Sequence, residues 1–213
     1  EEAVQRIEQD GGDSTVLTLG PEGAEEQLRD SLARGMERGI LLETDGSEWD
    51  ATATAQAIVE AIQTRQEAGE TYDLFLFGNE AADTGDFQVG IRVAHALGLP
   101  CVTGVKAMEV QDGKVVAKRE IESGWEIYEV PLPAVITVKE GINLPRYPSL
   151  RGTMKAKKKP VDRIQPQSTG ATLEMKRLRH PPEQGKQVEM LGEGAGAAPR
   201  VVELLKSLEV IPS

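Results

Sequence analysis

The sequence predicts an α/β fold in which a parallel sheet is flanked by helices. Short apolar strands alternate with helical patterns over roughly the first hundred residues, and such alternation builds βαβ units with right-handed crossovers. From residue 105 to residue 130, polar and apolar residues alternate around an Asp-Gly pair, which predicts an antiparallel hairpin insertion. Beyond residue 141 the periodicity is weak until a last amphipathic helix, which predicts an extended C-terminal arm ending in a helix.

The predicted elements of the parallel part follow one another closely. Val4 and Ile7 have helical spacing, so the sequence is expected to begin inside a helix. Pro21 suits the first turn of a helix, and Asp50 suits the N-cap of another. Strands are predicted at residues 15–19, 40–43, 73–77 and 100–103, and helices at residues 21–36, from residue 51 onward and at 88–97.

The hairpin region and the arm supply the remaining elements. Turns are predicted at Asp112-Gly113 and Ser123-Gly124, and the final helix has Val201, Leu204, Leu205 and Leu208 on one face. Strands are predicted at residues 105–110, 114–121, 125–130 and 134–138, and the final helix at 198–208.

Composition excludes several classes of partner. The net charge is -11, so attraction to nucleic acid or to an anionic membrane is not expected. Residues 1–150 hold 12 Lys and Arg against 28 Asp and Glu, whereas residues 151–213 hold 12 against 7, so the C-terminal part is expected to meet an acidic surface.

The single cysteine, Cys101, excludes an intramolecular disulfide and favours a reducing, cytoplasmic compartment. No stretch approaches the roughly 20 apolar residues of a membrane span, so no membrane insertion is expected.

The segment from Asp73 to Gly90 is the strongest functional signal. It runs from an apolar strand through a Gly- and Asp-rich loop into a helix, and open α/β folds bind nucleotides at such a sheet edge. Gly78 allows the turn, and Asp83 or Asp86 would accept from ribose hydroxyls or from loop N–H groups, or cap the helix. An ordinary, doubly capped loop is the alternative, since the segment is neither a P-loop nor a G-x-G-x-x-G motif.

Two further segments have two interpretations each, and no catalytic motif is found. Lys155–Pro160 is either a phosphate or nucleic-acid patch or, in better accord with the acidic composition, a solvated strand or a contact to an acidic partner. Asn143–Leu150 is either an interface or a proline-stiffened crossover loop. His95 and His180 are too far apart in sequence to indicate a metal site, and no Ser/His/Asp pattern is present.

Motifs spread over nearly the whole chain carry a family resemblance. Their ordered set, more than any one of them, resembles the beta subunit of electron-transfer flavoproteins in its bacterial form, which implies a Rossmann-like fold. The motifs are Glu1-Glu-Ala-Val4, Leu17-Thr-Leu-Gly-Pro21, Gly78-x-x-Ala-x-Asp83 with Gln88-x-Gly90, Lys118-Arg-Glu-Ile121, Leu132-Pro-Ala-Val135, Asn143-x-Pro-Arg-Tyr147 and Met154-Lys-Ala-Lys-Lys-Lys159.

The resemblance implies a heterodimer with an alpha subunit. That subunit would hold most of a redox-active FAD, whereas this chain would bind AMP as a structural ligand and contribute no catalytic residue. Electrons would pass from acyl-CoA or other dehydrogenases to the FAD and on to a quinone-linked oxidoreductase. The implied cofactor-binding residues are Leu19, Gly78, Asn79, Asp83, Thr84, Gly85, Asp86, Phe87, Gln88 and Val89.

The resemblance also implies surfaces for partner docking. Residues 143–153, named the docking loop below, would insert Leu150 into a pocket of a dehydrogenase, and Glu120 would meet the FAD domain of the alpha subunit. The implied docking residues are Glu120, Asn143, Pro145, Arg146, Tyr147 and Leu150.

The resemblance divides the chain into two parts. Residues 1–151 are expected to form a nucleotide-binding domain without its first strand, because about 45 residues of the family pattern precede Glu1. Residues 152–213 are expected to form an arm that docks on the alpha subunit.

Two alternatives to the AMP assignment stay open. A bifurcating relative would hold a second FAD in place of AMP, and the loop sequence does not exclude it. A nucleotide-hydrolysing α/β protein would need groups such as a P-loop lysine, which the sequence lacks.

Overall fold

The computed structural model describes residues 1–167, 173, 176–180 and 190–211. Two compact units divide the chain, one of residues 1–174 and the other of residues 175–213. The first unit includes a helix that spans residue 151 and the strand after it, which pairs with a strand near the start of the chain. The predicted division of the chain at residue 151 stays a prediction.

Helices and strands alternate over roughly the first hundred residues of this unit, as the sequence predicts. The helices are α1 (Glu2–Asp10), α2 (Glu25–Arg34), α3 (Ala51–Glu67), α4 (Val89–Leu97) and α5 (Leu150–Ala156). The strands are β1 (Thr15–Gly20), β2 (Arg38–Glu43), β3 (Leu74–Gly78), β4 (Cys101–Gln111), β5 (Lys114–Ile121), β6 (Gly124–Pro131), β7 (Ala134–Val138) and β8 (Val161–Ile164).

The strands form two sheets in the described part of the chain, whereas the sequence predicts one parallel sheet. The first has the order β1-β2-β8 and is parallel throughout. The second has the order β3-β7-β4-β5-β6, with parallel pairing from β3 to β4 and antiparallel pairing from β4 to β6. The predicted α/β class, with a parallel sheet and a hairpin insertion, is confirmed.

Strand β4 joins the parallel and antiparallel parts of the second sheet. Two separate strands were expected here, at residues 100–103 and 105–110, but β4 runs continuously through both. Its first residues pair with β7, and from Val105 onward it pairs with β5. Gly104 lies where the register with β7 shifts, between Val102 and Val105, and its φ of 70° lies in the left-handed region that glycine tolerates best. A bend, rather than a break, therefore connects the two parts.

Helices α3 and α4 cover the apolar core of the first unit. The carboxylate of Asp50 accepts a hydrogen bond from the N–H of Ala53 at 2.8 Å, so the predicted N-cap is confirmed. The predicted inward residues of α3 are buried against side chains of both sheets. A second core lies among β4, β5 and β7, with Val105 and Ile136 fully buried.

The hairpin turns lie close to their predicted positions. Asp112 and Gly113 both have positive φ, as a two-residue hairpin turn requires. At the other end of β5, Ile121 pairs with Gly124, so the turn residues are Glu122 and Ser123, one position earlier than predicted.

Residues 155–160 do not form the solvated strand that was one of their interpretations. Helix α5 continues to Ala156, which is buried against α2. The ammonium of Lys159 donates to the carbonyl oxygens of Leu32 and Met36, at 2.9 and 2.6 Å, and so satisfies carbonyl groups at the C-terminal end of α2. This contact fixes the start of β8, a strand that sequence periodicity did not reveal.

The second unit contains the predicted final helix. A 3₁₀ turn at Gly194–Ala197 leads into α6 (Ala198–Ser207), which has Pro199 in its first turn. Its apolar residues Val201, Val202 and Leu204 are exposed. The predicted amphipathic helix is confirmed, and its docking on a partner stays a prediction.

The contact between α2 and α5 can be tested at Gly152. A Cβ atom at this position would lie 2.3 Å from the backbone oxygen of Ala33, so the two helices would have to separate. We expect Gly152→Ala to lower the free energy of unfolding by about 1–3 kcal/mol in urea titrations, despite the higher helix propensity of alanine. Gly23→Ala is the control, because a Cβ there meets nothing within 4 Å. Equal stability of the two variants would contradict the close packing.

Candidate functional site

The loop between β3 and α4, residues 78–89, lies at the carboxyl edge of the second sheet. We name it the nucleotide loop. It folds back on itself, because the N–H of Ala81 donates to the oxygen of Asp86 at 2.9 Å and the N–H of Gly85 donates to the oxygen of Ala81 at 2.8 Å. Gly85 has a φ of 66°, which this turn requires. The predicted strand, loop and helix are thus present in the predicted order.

The acidic side chains of the nucleotide loop accept hydrogen bonds from the loop itself. The carboxylate of Asp83 accepts from the N–H of Thr84 at 2.8 Å, and that of Asp86 accepts from the N–H of Gln88 at 3.0 Å. Helix α4 begins directly afterwards, and its first N–H groups have no partner within the helix. They form an electropositive helix end that suits an anionic ligand.

A buried hydroxyl ties the nucleotide loop to the bend of β4. Thr137 on β7 is 2% exposed, and its hydroxyl donates to the side-chain oxygen of Asn79 at 2.7 Å. The same hydroxyl oxygen accepts from the N–H of Gly104 at 3.1 Å. Asn79 also donates its backbone N–H to the oxygen of Val138 at 3.0 Å. One side chain therefore fixes three segments at the sheet edge.

A cleft of about 220 Å³ opens beside these three segments. It brings Asn79 and Phe87, two predicted cofactor-binding residues, together with Glu120, a predicted docking residue. Its other lining residues are Ile91, Thr103, Gly104, Arg119 and Lys139. The sequence does not single out Arg119 or Lys139, because Arg119 lies on β5 and Lys139 follows β7, and only tertiary pairing of these strands brings them to this edge.

Arg119 is held in the cleft by a small polar network. Its guanidinium donates two hydrogen bonds to the carboxylate of Glu126, at 2.8 and 2.6 Å, and lies 5.0 Å from the ring centre of Tyr128. The hydrogen bonds with Glu126 raise the pKa of Arg119, and those from Arg119 and Tyr128 lower the pKa of the Glu126 carboxyl. Both groups therefore stay charged at neutral pH, with the guanidinium fixed in place.

Glu120 lies at the rim of the cleft with its side chain 53% exposed. The ammonium of Lys106 lies 2.7 Å from its carboxylate, and this hydrogen bond lowers the pKa of Glu120. A charged and accessible carboxylate at this position can meet a cation of a partner.

Leu19 and Val89 occupy a different environment from the rest of the predicted cofactor residues. Both side chains pack against the apolar core that α3 covers, so they stabilise this edge of the sheet from its buried side. Gly90, at the start of α4, was not among the predicted site residues. A Cβ atom there would lie 3.0 Å from Thr137 and 3.1 Å from Phe77, so this glycine lets the helix approach the sheet closely.

The docking loop is a second surface, and none of the residues lining the cleft belongs to it. It is extended only as far as Ser149, because α5 begins at Leu150. The hydroxyl of Ser149 accepts from the N–H of Gly152 at 3.0 Å and caps this helix. Leu150 therefore lies in the first turn of a helix, which neither interpretation of residues 143–150 includes.

Three large side chains of the docking loop point into solvent. Leu144 is 90% exposed, Tyr147 93% and Leu150 81%. Asn143 and Arg146 instead contact the acidic face of α1. Apolar exposure of this extent within one short segment is typical of an interaction surface.

The sequence of residues 1–169 identifies the family of this chain. Residues 1–169 match the model of the electron transfer flavoprotein domain. The chain belongs to the electron transfer flavoprotein family.

Characterised relatives support this assignment over most of the chain. The electron transfer flavoprotein subunit beta of Bacillus subtilis (strain 168) is 35% identical over 97% of this chain and 82% of that protein. The subunit of the same name from Syntrophomonas wolfei is 37% identical over 90% of this chain and 74% of that protein. That of Mycobacterium tuberculosis (strain H37Rv) is 39% identical over 76% of this chain and 61% of that protein. The family predicted from the ordered motifs is confirmed.

Two features, a metal-binding cluster and a membrane-spanning helix, are not found in the described part of the chain. Within the residues that the structure describes, no group of three or more His, Cys, Asp or Glu side chains could hold a metal ion. No helix among them is long and apolar enough to cross a membrane.

The bridging role of Thr137 can be tested by substitution. Thr137→Val leaves the N–H of Gly104 and the side chain of Asn79 without their common partner, so we expect a loss of about 1–3 kcal/mol in the free energy of unfolding. Thr137→Ser keeps the hydroxyl and should lose less. Chemical denaturation of both variants measures the difference, and a valine variant at least as stable as the serine variant would refute the role.

Proposed function

We propose that this chain is the beta subunit of a heterodimeric electron transfer flavoprotein. It binds a structural AMP, helps an alpha subunit to hold the redox-active FAD, and docks partner dehydrogenases. The observation that carries the proposal is the similarity, at 35–37% identity over most of the chain, to relatives named electron transfer flavoprotein subunit beta. The nucleotide loop and the docking loop give two separate surfaces on which these roles can rest.

The nucleotide loop fits the chemistry of AMP. The phosphate would lie against the first N–H groups of α4, where the helix dipole favours negative charge. Thr84 and Gly85 are exposed beside it and offer a hydroxyl and a backbone N–H. Asp83 and Asp86 keep oxygen lone pairs that can accept from ribose hydroxyls in addition to their loop hydrogen bonds. These groups bind and orient, and none of them is placed as a catalyst.

The cleft beside the nucleotide loop suits contact with the alpha subunit. FAD, when bound mainly by that subunit, supplies the electron-transfer chemistry. The accessible carboxylate of Glu120 would meet a cation of the FAD-bearing domain. Arg119, fixed by Glu126, supports the edge of the surface on which that domain rests.

The docking loop is proposed to receive the dehydrogenase. Leu150 would be the anchor that enters an apolar pocket, and Leu144 and Tyr147 would extend the contact. The arm, with the exposed apolar residues of α6, would embrace the alpha subunit. A dehydrogenase would donate electrons, a quinone-linked oxidoreductase would accept them, and the site of action would be the bacterial cytoplasm.

The bound nucleotide can be identified directly. We expect each heterodimer of this chain with its alpha subunit to release one AMP and one FAD on denaturation. Mass spectrometry of the supernatant identifies and quantifies the released nucleotides. Release of two FAD and no AMP would show the bifurcating type instead. ATP turnover by the isolated chain would favour a nucleotide-hydrolysing protein, and it too would overturn the proposal.

The anchoring role of Leu150 gives a kinetic prediction. Burial of one leucine side chain contributes roughly 1.5–3 kcal/mol, so Leu150→Ala should raise the KM of the dehydrogenase for the heterodimer about tenfold or more. Flavin content should not change. Ile127→Ala is the control, since Ile127 on β6 is 63% exposed and lies outside both the docking loop and the arm. Equal KM values for the two variants would contradict the anchor.

A further inference from the structure

Arg146 stands out in the docking loop because its side chain turns inward. Its neighbours Leu144 and Tyr147 are almost fully exposed, whereas the Arg146 guanidinium lies between Glu1 and Glu8 of the α1 region. Arginine is a common hot-spot residue in interfaces, so a direct contact with a partner was expected from the sequence. The structure shows a different set of contacts.

The guanidinium of Arg146 makes a forked contact with two carboxylates. Its Nε and Nη2 donate to Glu1 at 3.0 and 2.9 Å, and its Nη1 and Nη2 donate to Glu8 at 2.6 and 2.8 Å. These bonds use most of the five N–H groups of a guanidinium, so little donor capacity is left for a partner. They also hold the pKa of the Glu1 carboxyl at about 2 and lower that of Glu8, so both acids are charged at neutral pH.

The backbone of the docking loop is fixed at the same place. The N–H of Arg146 donates to Glu1 at 3.0 Å, and its carbonyl oxygen accepts from Arg34 of α2 at 3.2 Å. Asn143 donates to Glu2 at 2.8 Å, three residues before. The segment is thus tied to two helices while its apolar side chains stay exposed.

We propose that Arg146 is a positioning residue, which clamps the docking loop to α1 so that Leu144, Tyr147 and Leu150 are preorganised for a protein partner with a complementary apolar pocket. This inference rests on the docking role in the proposed function, and it identifies the contact that shapes the docking loop. A preorganised loop binds more tightly, because less conformational entropy is lost when the partner docks. A direct contact between Arg146 and an acid of the partner is the competing explanation.

The two explanations differ in what the acids of α1 do. If Arg146 positions the loop, loss of its acidic partners has the same effect as loss of Arg146. If Arg146 contacts the dehydrogenase, removal of Glu1 and Glu8 frees the guanidinium, and docking is unchanged or stronger. A double-mutant cycle separates these cases, because residues that act through one contact are non-additive.

The experiment uses the heterodimer as electron acceptor of its dehydrogenase. We expect Arg146→Ala and the double variant Glu1→Gln/Glu8→Gln each to raise KM by about two- to tenfold, with kcat and FAD content unchanged. The triple combination should be no worse than either. Amide hydrogen exchange at residues 144–149 should be faster in all three, while Arg146→Lys should recover part of the loss. If the multiple variants do not fold, Glu8→Gln alone replaces them, because Glu8 is exposed. We expect this single variant to raise KM by a smaller factor.

Two outcomes would overturn the clamp. One is an unchanged or lower KM when the acids of α1 are replaced and Arg146 is kept. The other is an additive triple variant. Leu150→Ala separates this inference from the proposed function: if it raises KM while the α1 variants do not, the docking loop stands and the clamp fails, whereas if Leu150→Ala has no effect the docking role itself fails.

Discussion

The bend of β4 at Gly104 is the constraint on which the arrangement of the candidate site depends. Strand β4 pairs in parallel with β7 on both sides of the bend, at Val102 and at Val105, and from Val105 onward it also pairs with β5 of the hairpin. The hydroxyl of Thr137 holds the bend by accepting from the N–H of Gly104, and it reaches Asn79 of the nucleotide loop at the same time. A single buried hydroxyl thus sets the position of the hairpin relative to the nucleotide loop.

That position brings residues with predicted cofactor-binding and docking roles to one cleft. Glu120 and Arg119 come from the hairpin, whereas Phe87 comes from the nucleotide loop, and all three line one cleft. The docking loop lies apart from this cleft and is shaped by its contacts with α1 and α2. In the proposed function the nucleotide stabilises the fold, the cleft meets the flavin-bearing subunit, and the docking loop meets the electron donor. Each surface would then bind a different partner, as the proposed function of an electron-carrying subunit requires.

The sequence predicts most of the elements because their signals are local. Residue type and spacing alone predict the N-cap at Asp50, the turn at Asp112-Gly113 and helix α4, which ends at Leu97. The structure confirms all three. The division into two sheets, the continuity of β4 and the strand β8 could not be predicted, because they depend on tertiary pairing and on contacts such as that of Lys159 with α2. The site shows the same pattern. The nucleotide loop has a local signature, whereas the inward turn of Arg146 depends on carboxylates more than a hundred residues away.

In the proposed function, this chain supports electron transfer only together with a flavin held mainly by another subunit. This can be tested by purifying the chain alone and in complex with an electron transfer flavoprotein alpha subunit, and by following flavin absorbance after addition of a dehydrogenase and its substrate. We expect a one-to-one complex whose flavin is reduced, and no flavin reduction with the chain alone. Failure to form the complex, or flavin reduction by the chain without the alpha subunit, would contradict it.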